Sequence, residues 1–517
     1  MTTTPSAARI LAALDQRLKA AADVALATPS PTEVHATRAG DNLARLITEC
    51  HRTRRADLAW LVLTVVRAAY PTTDDVREFL RHLDLAPQNL ESWLLEDVIA
   101  HPHRARPDRQ VRLVTDRVVV DVDFCARHET HTGIQRVVRE TVRRWYDWHS
   151  ALPTAWAEGG CLRELTVDET ARVLAGSWTD HGDVAAERAP SDTALVVPWH
   201  TVVVLPDVPN GHVVDPLAAL ARFSASTVSI VGYDMIPVTN ADQRPAVDAE
   251  TFTQYLTVVK HAHRVAAISD SAAAEFAGFQ HMLAAQGLPG PDVTTVHLTI
   301  DAPPAATATT TARANHPRPV VLCPGTKEPH KNQRAALHAA ERLWREGLDF
   351  ELRLMGGPGW SEAVLRPALE RLQRAGRPVV DLGRVSEERL WAEYRDADVA
   401  VFISLHEGYG LPAAEALACG TPVLTSCFGS LAEIARPGGC LTVDPRDDDD
   451  VADGLRRLLS EPDLLATLRE QAARRSSRTW DDYATELWTA LAGPLGAVKP
   501  DSTVVADEDL RTEASTS

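Results

Sequence analysis

The segment HEGYGLPAAEALACGTPVLTS, His406 to Ser426, carries two glutamates, Glu407 and Glu415, with seven residues between them. The turn Gly408-Tyr409-Gly410-Leu411 follows the first of them. Glycines let a backbone turn tightly and approach a ligand closely, and the next residue, Pro412, suits the first turn of a helix. A glycine loop feeding a helix N-terminus favours an anion such as a diphosphate. A carboxylate accepts hydrogen bonds from two adjacent hydroxyls. Glu407 on the loop is therefore placed to reach sugar hydroxyls, and Glu415, about one turn into the helix, the ribose of a nucleotide. Acidic residues also favour a first helical turn without any ligand. Spacing alone does not separate the two readings.

A second segment does. After the apolar run PVVLCPG comes TKEPHKNQRAALHAAERLW, which predicts a helix beginning near Pro329 with Lys331 in its first turn. The helix dipole disfavours a cation there by roughly a few tenths of a kcal/mol. Such a lysine is either solvated or set against an anion, and Lys327 and His330 beside it favour the anion. A third glycine-rich turn, GGPGW at Gly356–Trp360, follows another apolar run.

The segments GTKEPHKN (Gly325–Asn332) and HEGYGLPAAEALACGTPVLTS resemble the donor site of the retaining glycosyltransferases of family 4, which have the GT-B fold. The second holds that family's E-x7-E pattern as Glu407 and Glu415. GRVSEERLWAEYRDADVAVFIS (Gly383–Ser404), SLAEIA (Ser430–Ala435) and VDP (Val443–Pro445) are similar too, so the resemblance is dense from about 319 to 485. It implies that Lys331 holds the diphosphate of a nucleotide-sugar donor and that Glu407, with the amides of Gly408 to Gly410, holds the transferred sugar. It implies Glu415 for the ribose, with Gly325, Thr326, Tyr409 and Leu411 in the same donor-binding set. Where the family often has Arg, this chain has His330, and a neutral imidazole offsets less phosphate charge.

In the first half, Ile134, Val137, Val138, Thr141, Val142 and Trp145 form one apolar stripe, which predicts a helix from about Gly133. The Thr132-Gly133 turn at its start resembles the family's cleft-facing glycine loop on the acceptor side. Arg136, Arg139, Arg143 and Arg144 read as a solvated face in an acidic chain, with Arg136 alone near enough to the helix start to reach a cleft. VSIVGYDMIPV (Val228–Val238) resembles the family's strand ending in H-D-x-x-P, with Tyr233 in place of His and expected, like Thr132 and Gly133, on the acceptor-side loop. The match implies that Asp234 orients the acceptor or stabilises positive charge on the sugar; a turn carboxylate capping the next element is the plain reading. HAHRVAAISDSAAAEF (His261–Phe276) is similar to the family as well. Asp121-Val122-Asp123 spells D-x-D, a metal-binding pattern in unrelated enzymes, but reads as a strand terminus because Lys331 and helix N-termini already supply positive charge. The run Asp447–Asp450 reads as a solvated turn or helix start. No metal ligand set is expected.

The elements that must position these residues are legible as periodicity. Residues 1–110 read as helices only: Ile10, Leu14, Leu18 and Ala21 recur at helical spacing, and Thr73 is placed to cap a helix carrying Val76, Phe79, Leu80 and Leu83. HPHRARPDR (His101–Arg109) reads as a linker. Short β-branched runs then alternate with amphipathic helices. Candidate strands are Arg117–Val122, Thr201–Leu205, Thr227–Val231, Arg264–Ile268 and Val293–His297, then Pro319–Cys323, Phe350–Met355, Val379–Leu382, Asp398–Ile403 and Thr421–Thr425. Apolar throughout, they have the character of buried parallel strands. The expected fold is α/β: two facing Rossmann-like domains, 111–312 on the acceptor side and 313–497 on the nucleotide-sugar side, after an all-helical region 1–110. Ala302–Arg318 is the expected hinge and 498–517 an expected disordered tail.

With 517 residues the chain is long enough for about three domains. A net charge of −18 argues against nucleic acid as the main partner. The longest apolar run, Leu58 to Val66, is short of the roughly 20 residues of a membrane span, and the N-terminus has no secretory pattern. Seven cysteines without paired spacing fit reduced thiols in a cytoplasm.

The expectation is a metal-independent retaining transfer of a hexosyl group, mannose- or rhamnose-like, from a nucleoside diphosphate sugar, with Asp234 and Glu407 catalytic and no further cofactor. The acceptor is a hydroxyl of a glycan, a lipid-linked sugar or a small molecule; a lipid-linked one would bring the protein to the inner membrane face. The N-terminal helices are open to oligomerisation, a protein partner or packing on the first domain. The alternatives are a non-catalytic partner or scaffold subunit of the same fold and a GT-B sugar-nucleotide epimerase.

Overall fold

The computed structural model describes residues 7–26, 39–100, 106–129, 132–174, 193–300, 316–360, 362–475 and 478–493. The linker at His101–Arg109 and the hinge at Ala302–Arg318 lie largely outside them, and the tail 498–517 entirely.

Two sheets carry the molecule. The first has nine strands in the order Val111–Val114, Leu195–Pro198, Cys161–Glu164, Leu152–Ala157, Val119–Asp121, Val202–Leu205, Thr227–Gly232, Arg264–Ala267, Asp292–Thr295. Only Cys161–Glu164 runs antiparallel to its neighbours. The second is a six-stranded parallel sheet, Val379–Gly383, Glu351–Met355, Val320–Pro324, Val399–Phe402, Val423–Ser426, Cys440–Val443. Strands such as Thr227–Gly232 and Val399–Phe402 are buried along their whole length, as helices on both faces of a parallel sheet require. This is the two-domain α/β architecture expected. Five strands escaped the periodicity. Leu152–Ala157 is broken by Pro153, Cys161–Glu164 follows a glycine pair, and the short edge strands Val111–Val114 and Cys440–Val443 are only partly buried; Leu195–Pro198 ends on a proline.

The helical region does not stand apart. Its helices Ala7–Ala25, Ala39–Thr53, Ala56–Arg67, Thr73–Leu85 and Leu90–Ala100 share one continuous apolar core with the first sheet, from Leu18 through Trp60 and Phe79 to Val196 and Val228. The run Leu58 to Val66 is buried all round because Ala56–Arg67 sits at the centre of this layer. Thr72, one residue before the expected Thr73, caps its helix through a reciprocal pair with Asp75. Helix Ala7–Ala25 turns a charged residue inward: Arg17 is fully buried and donates to the carbonyls of Val65, Pro107 and Arg109 at 2.6–2.7 Å. Tyr70 donates its hydroxyl to Val196 O in the first sheet at 2.5 Å.

The last helix, Trp480–Leu491, falls within the span 313–497 expected to form the second domain, yet it packs on the first. Tyr483, Leu487 and Leu491 join the first sheet's second core, and the Trp145 indole donates to Ala484 O at 2.9 Å. Among the described residues no helix is long and apolar enough to cross a membrane.

Packing of the helical layer by hydrogen bonds into a core has a measurable consequence. Tyr70→Phe should cost about 1 kcal/mol and Arg17→Met roughly 3 kcal/mol, because the latter strands several buried carbonyls. Thermal unfolding of the purified variants checks the order, with the larger drop in Tm for Arg17→Met.

Candidate active site

Several of the expected site residues follow the carboxyl ends of strands, the place where open α/β sheets bind ligands. Thr227–Gly232 runs into Tyr233 and Asp234, Arg264–Ala267 into Ser269, Val320–Pro324 into Gly325–Lys331, and Val399–Phe402 into the loop Ser404–Gly410.

Lys331 is not in the first turn of an α-helix. Pro329–Lys331 forms a single 3-10 turn, and the helix proper, Gln333–Arg345, begins after Asn332, which adopts a left-handed φ of 54°. The dipole argument that singled out Lys331 therefore does not apply. Its Nζ lies 2.7 and 2.9 Å from the two oxygens of Glu407 and 5.5 Å from the centre of the Phe402 ring. Gly325 holds a φ of 120° beside it, while Thr326 is exposed. His330 is buried, and burial together with the Lys331 charge lowers its imidazole to about 4, so it is neutral. Lys327 pairs instead with Asp381 at 2.6 Å.

The loop that bears Glu407 is pressed against the first domain. A Cβ on Gly408 would fall well inside contact distance of the Tyr233 carbonyl oxygen, and Ser269 donates to Gly408 O at 2.6 Å. Gly410 takes a φ of 109° as the N-cap of helix Leu411–Ala418, a conformation that costs side-chain-bearing residues 1 kcal/mol or so. Tyr409 packs against the cores of both domains and Leu411 against that of the first. Leu411 meets Gly133, the first residue of helix Gly133–His149, whose Cβ would lie 2.6 Å from Leu411 Cδ1. Thr132 hydrogen-bonds to the Gln135 side chain.

Glu415 is placed differently from Glu407. It is 7% exposed, with Oε1 2.9 Å from Nη1 of Arg136 and Oε2 accepting from the Tyr394 hydroxyl at 2.9 Å. Burial raises its carboxyl above the ordinary range, against the pull of Arg136. The two glutamates share no partner. A cavity of about 220 Å³ between helix Asp270–Leu283 and the segments 404–407 and 428–431 is lined by Glu407 but not by Glu415. The solvated reading of the arginines thus fails for three of them: Arg136 spans the domains, flanked by Trp391 and Trp480, Arg139 is buried, donating to His128 O, and Arg144, as little exposed as Arg136, donates to Asp481 of helix Trp480–Leu491 at 2.6 Å. Arg143 and Arg144 pair with Glu140.

Asp234 accepts from the amide of Ile236 at 3.0 Å, so it is a turn carboxylate as well as a cleft residue. Burial, with Glu275 and Glu407 nearby, pushes it up to about 6. Tyr233 is buried and donates to Pro206 O at 2.6 Å; its side chain belongs to the core rather than the acceptor loop. The D-x-D carboxylates are structural: Asp121 accepts from the Trp156 indole and the Asp123 amide, and Asp123 from Arg127 and the Trp156 amide. Asp447 caps helix Asp448–Ser460. Two site residues went unread in the sequence, Glu275 and His406, although His406 adjoins Glu407 and Glu275 lies six positions after Ser269.

The nine- and six-stranded sheets with a cleft between them are the GT-B architecture, and a crystal structure of Anabaena Alr3699/HepE in complex with UDP and glucose shares it (TM-score 0.50, 13% identity, 72% of this chain and 98% of that one). Residues 310–475 match the family described as glycosyl transferases group 1. Curated relatives include the serotype-specific mannosyltransferase WbdA of Escherichia coli, 26% identical over 343 residues, covering 62% of this chain and 39% of the relative. O-antigen chain mannosyltransferase B of Escherichia coli is 36% identical over 165 residues (31% and 42%). A D-inositol 3-phosphate glycosyltransferase of Geodermatophilus obscurus is 35% identical over 188 residues (34% and 42%). The chain spans about two fifths of the length of these relatives.

The raised Asp234 carboxyl has a sign that can be tested. Its folded value, about 6, lies above the ordinary 3.8, so the ionised group costs stability increasingly as pH rises from about 4 to above 6. Asp234→Asn keeps the acceptor for Ile236 and should stabilise the protein at pH 7.5 by roughly 2–3 kcal/mol. The gain should vanish near pH 4, as unfolding at the two pH values will show.

Proposed function

We propose that the protein is a retaining glycosyltransferase that moves a hexosyl group, mannose- or rhamnose-like, from a nucleoside diphosphate sugar to a hydroxyl of a glycan, a lipid-linked sugar or a small molecule. The observation that carries this is the Lys331–Glu407 pair beside a glycine loop at the head of helix Leu411–Ala418. A cation and a row of backbone amides suit a diphosphate, and an acceptor-only carboxylate beside them suits sugar hydroxyls. The relatives named as mannosyltransferases, and the UDP and glucose of the structural neighbour, support the donor class.

In this reading Lys331 and the amides of Gly408 to Leu411 take up charge on the departing diphosphate, so no metal ion is required for that role. Gly325 and Thr326 border the phosphates. The bond from the anomeric carbon to the phosphate oxygen breaks as the bond to the acceptor oxygen forms on the same face. The acceptor's proton passes to the departing phosphate oxygen, which preserves anomeric configuration. Asp234 supports the positive charge that develops on the sugar. Glu415 holds the ribose, which requires its ion pair with Arg136 to part when the domains separate. Thr132 and Gly133 border the acceptor side. The reaction belongs to the cytoplasm, where the seven cysteines, all free among the described residues, stay reduced. A lipid-linked acceptor would bring it to the inner membrane face.

One observation favours a second reading. Both oxygens of Glu415 are engaged by Arg136 and Tyr394, as suits a partner subunit that keeps the fold without turnover.

Transfer from GDP-mannose and UDP-glucose to a panel of sugar acceptors, in EDTA, separates them. The wild type should transfer with retention, read from the product's anomeric NMR coupling. Lys331→Ala and Glu407→Ala should each lower kcat/KM by about 100-fold or more (roughly 2.7 kcal/mol), and Glu415→Ala should act mainly on donor KM. Full activity in all three variants contradicts the site; donor binding without transfer favours the partner subunit.

A further inference from the structure

One titratable cluster straddles the cleft without a part in the chemistry above. Glu275 sits on helix Asp270–Leu283 of the first domain, and His406 on the second domain's loop directly before Glu407. His406 Nε2 lies 2.5 Å from Glu275 Oε1. On the other side of the ring, Nδ1 lies 2.7 Å from Oδ1 of Asn240 and 3.2 Å from Oγ1 of Thr239. The second oxygen of Glu275 accepts from the amide of Met235 at 2.7 Å, the residue after Asp234. One carboxylate thus ties the Asp234 turn to the Glu407 loop. With an acceptor oxygen facing each ring nitrogen, the doubly protonated imidazolium is the form that satisfies both.

We propose that Glu275 is a positioning residue for the donor loop: through His406 it fixes the Glu407 carboxylate at the cleft while the two domains are together. This rests on the role of Glu407 given under Proposed function. Glu407 itself follows His406 in the chain, its backbone oxygen accepts from Ser430 at 2.8 Å, and its carboxylate meets Lys331. The remaining freedom of the loop between Ser404 and Gly408 is removed by the His406 ring and by Ser269 on Gly408 O. A reacting sugar held by Glu407 is sensitive to small displacements of that carboxylate, since misplacement by about 1 Å can cost 100-fold in rate.

The ionisable groups facing His406 are Glu275, Asp234, Glu407 and, on the turn Pro329–Lys331, the neutral His330. Burial works against the charged ring, but the Glu275 hydrogen bond and the surrounding carboxylates outweigh it, and the imidazole titrates above its ordinary value. The positioned loop is therefore kept below the His406 pKa and lost as pH rises through it.

The test uses the full chain, with GDP-mannose and UDP-glucose as donors, in wild type, Glu275→Gln and His406→Asn. Glu275→Gln should lower kcat by about tenfold with donor KM changed by less than about threefold. It should move the alkaline fall of kcat about one pH unit lower, and His406→Asn should remove that fall. In parallel, the His406 ring resonance, identified by its loss in His406→Asn, should titrate at lower pH in Glu275→Gln. An unchanged titration and pH profile in Glu275→Gln, or a fall in Tm with kinetics preserved, overturns the proposal. If wild type transfers nothing, the proposed function fails on its own, and the ring titration still decides whether Glu275 governs His406.

Discussion

At Gly408 the backbones of the two domains touch. The loop after strand Val399–Phe402 carries its glycine against the carbonyl of Tyr233, with no room for a single methyl group. The glutamate loop of the second domain is threaded through this point. Glu407 lies one residue before it, Gly410 and the head of helix Leu411–Ala418 follow two and three residues after, and Ser269 of the first domain holds its carbonyl. A donor site of this kind is therefore not a property of one domain. The carboxylate that would grip the sugar is aimed by the second sheet and fixed in place by the first.

The same division of labour explains the arrangement of charge. The cleft draws Lys331, Glu407, His406, Glu275 and Asp234 together from four different elements, and each charged side chain meets an opposite partner or an amide. Buried or half-buried charges survive only with such satisfaction. Arg136 and Glu415 make a second crossing of the cleft, with Trp391 and Trp480 beside the guanidinium. The helix Trp480–Leu491 reaches back to the first sheet, and the helical layer extends the first core, so that half of the molecule carries two continuous apolar cores.

Much of this was legible in the residues. The strand ends, the glycine turns and the pair Glu407 and Glu415 follow from local pattern, because a parallel strand buried on both faces is apolar throughout and its loop must turn at once. The start of helix Gly133–His149 was readable from its apolar stripe, Ile134 to Trp145. What pattern did not reveal depends on contacts between residues distant in the chain. Arg136 was read as near enough to the helix start to reach a cleft, but its partner Glu415, 279 positions away, was not legible. Glu275 was not singled out at all, because its partner His406 lies across the cleft, 131 positions on. Tyr233, read beside Asp234 as an acceptor-loop residue, turned inward to Pro206. Lys331 was found for a reason that does not hold: the turn Pro329–Lys331 precedes the helix, and the cation is placed by Glu407 rather than opposed by a dipole.

The most direct measurement is the transfer rate of Gly408→Ala, with nucleoside diphosphate affinity determined alongside. A methyl group at that point must push the donor loop away from Tyr233 while leaving Lys331 and the helix head intact. If contact between the domains places the sugar-gripping carboxylate, kcat falls by about 100-fold or more and nucleoside diphosphate binds nearly as before. Transfer at the wild-type rate would contradict the account.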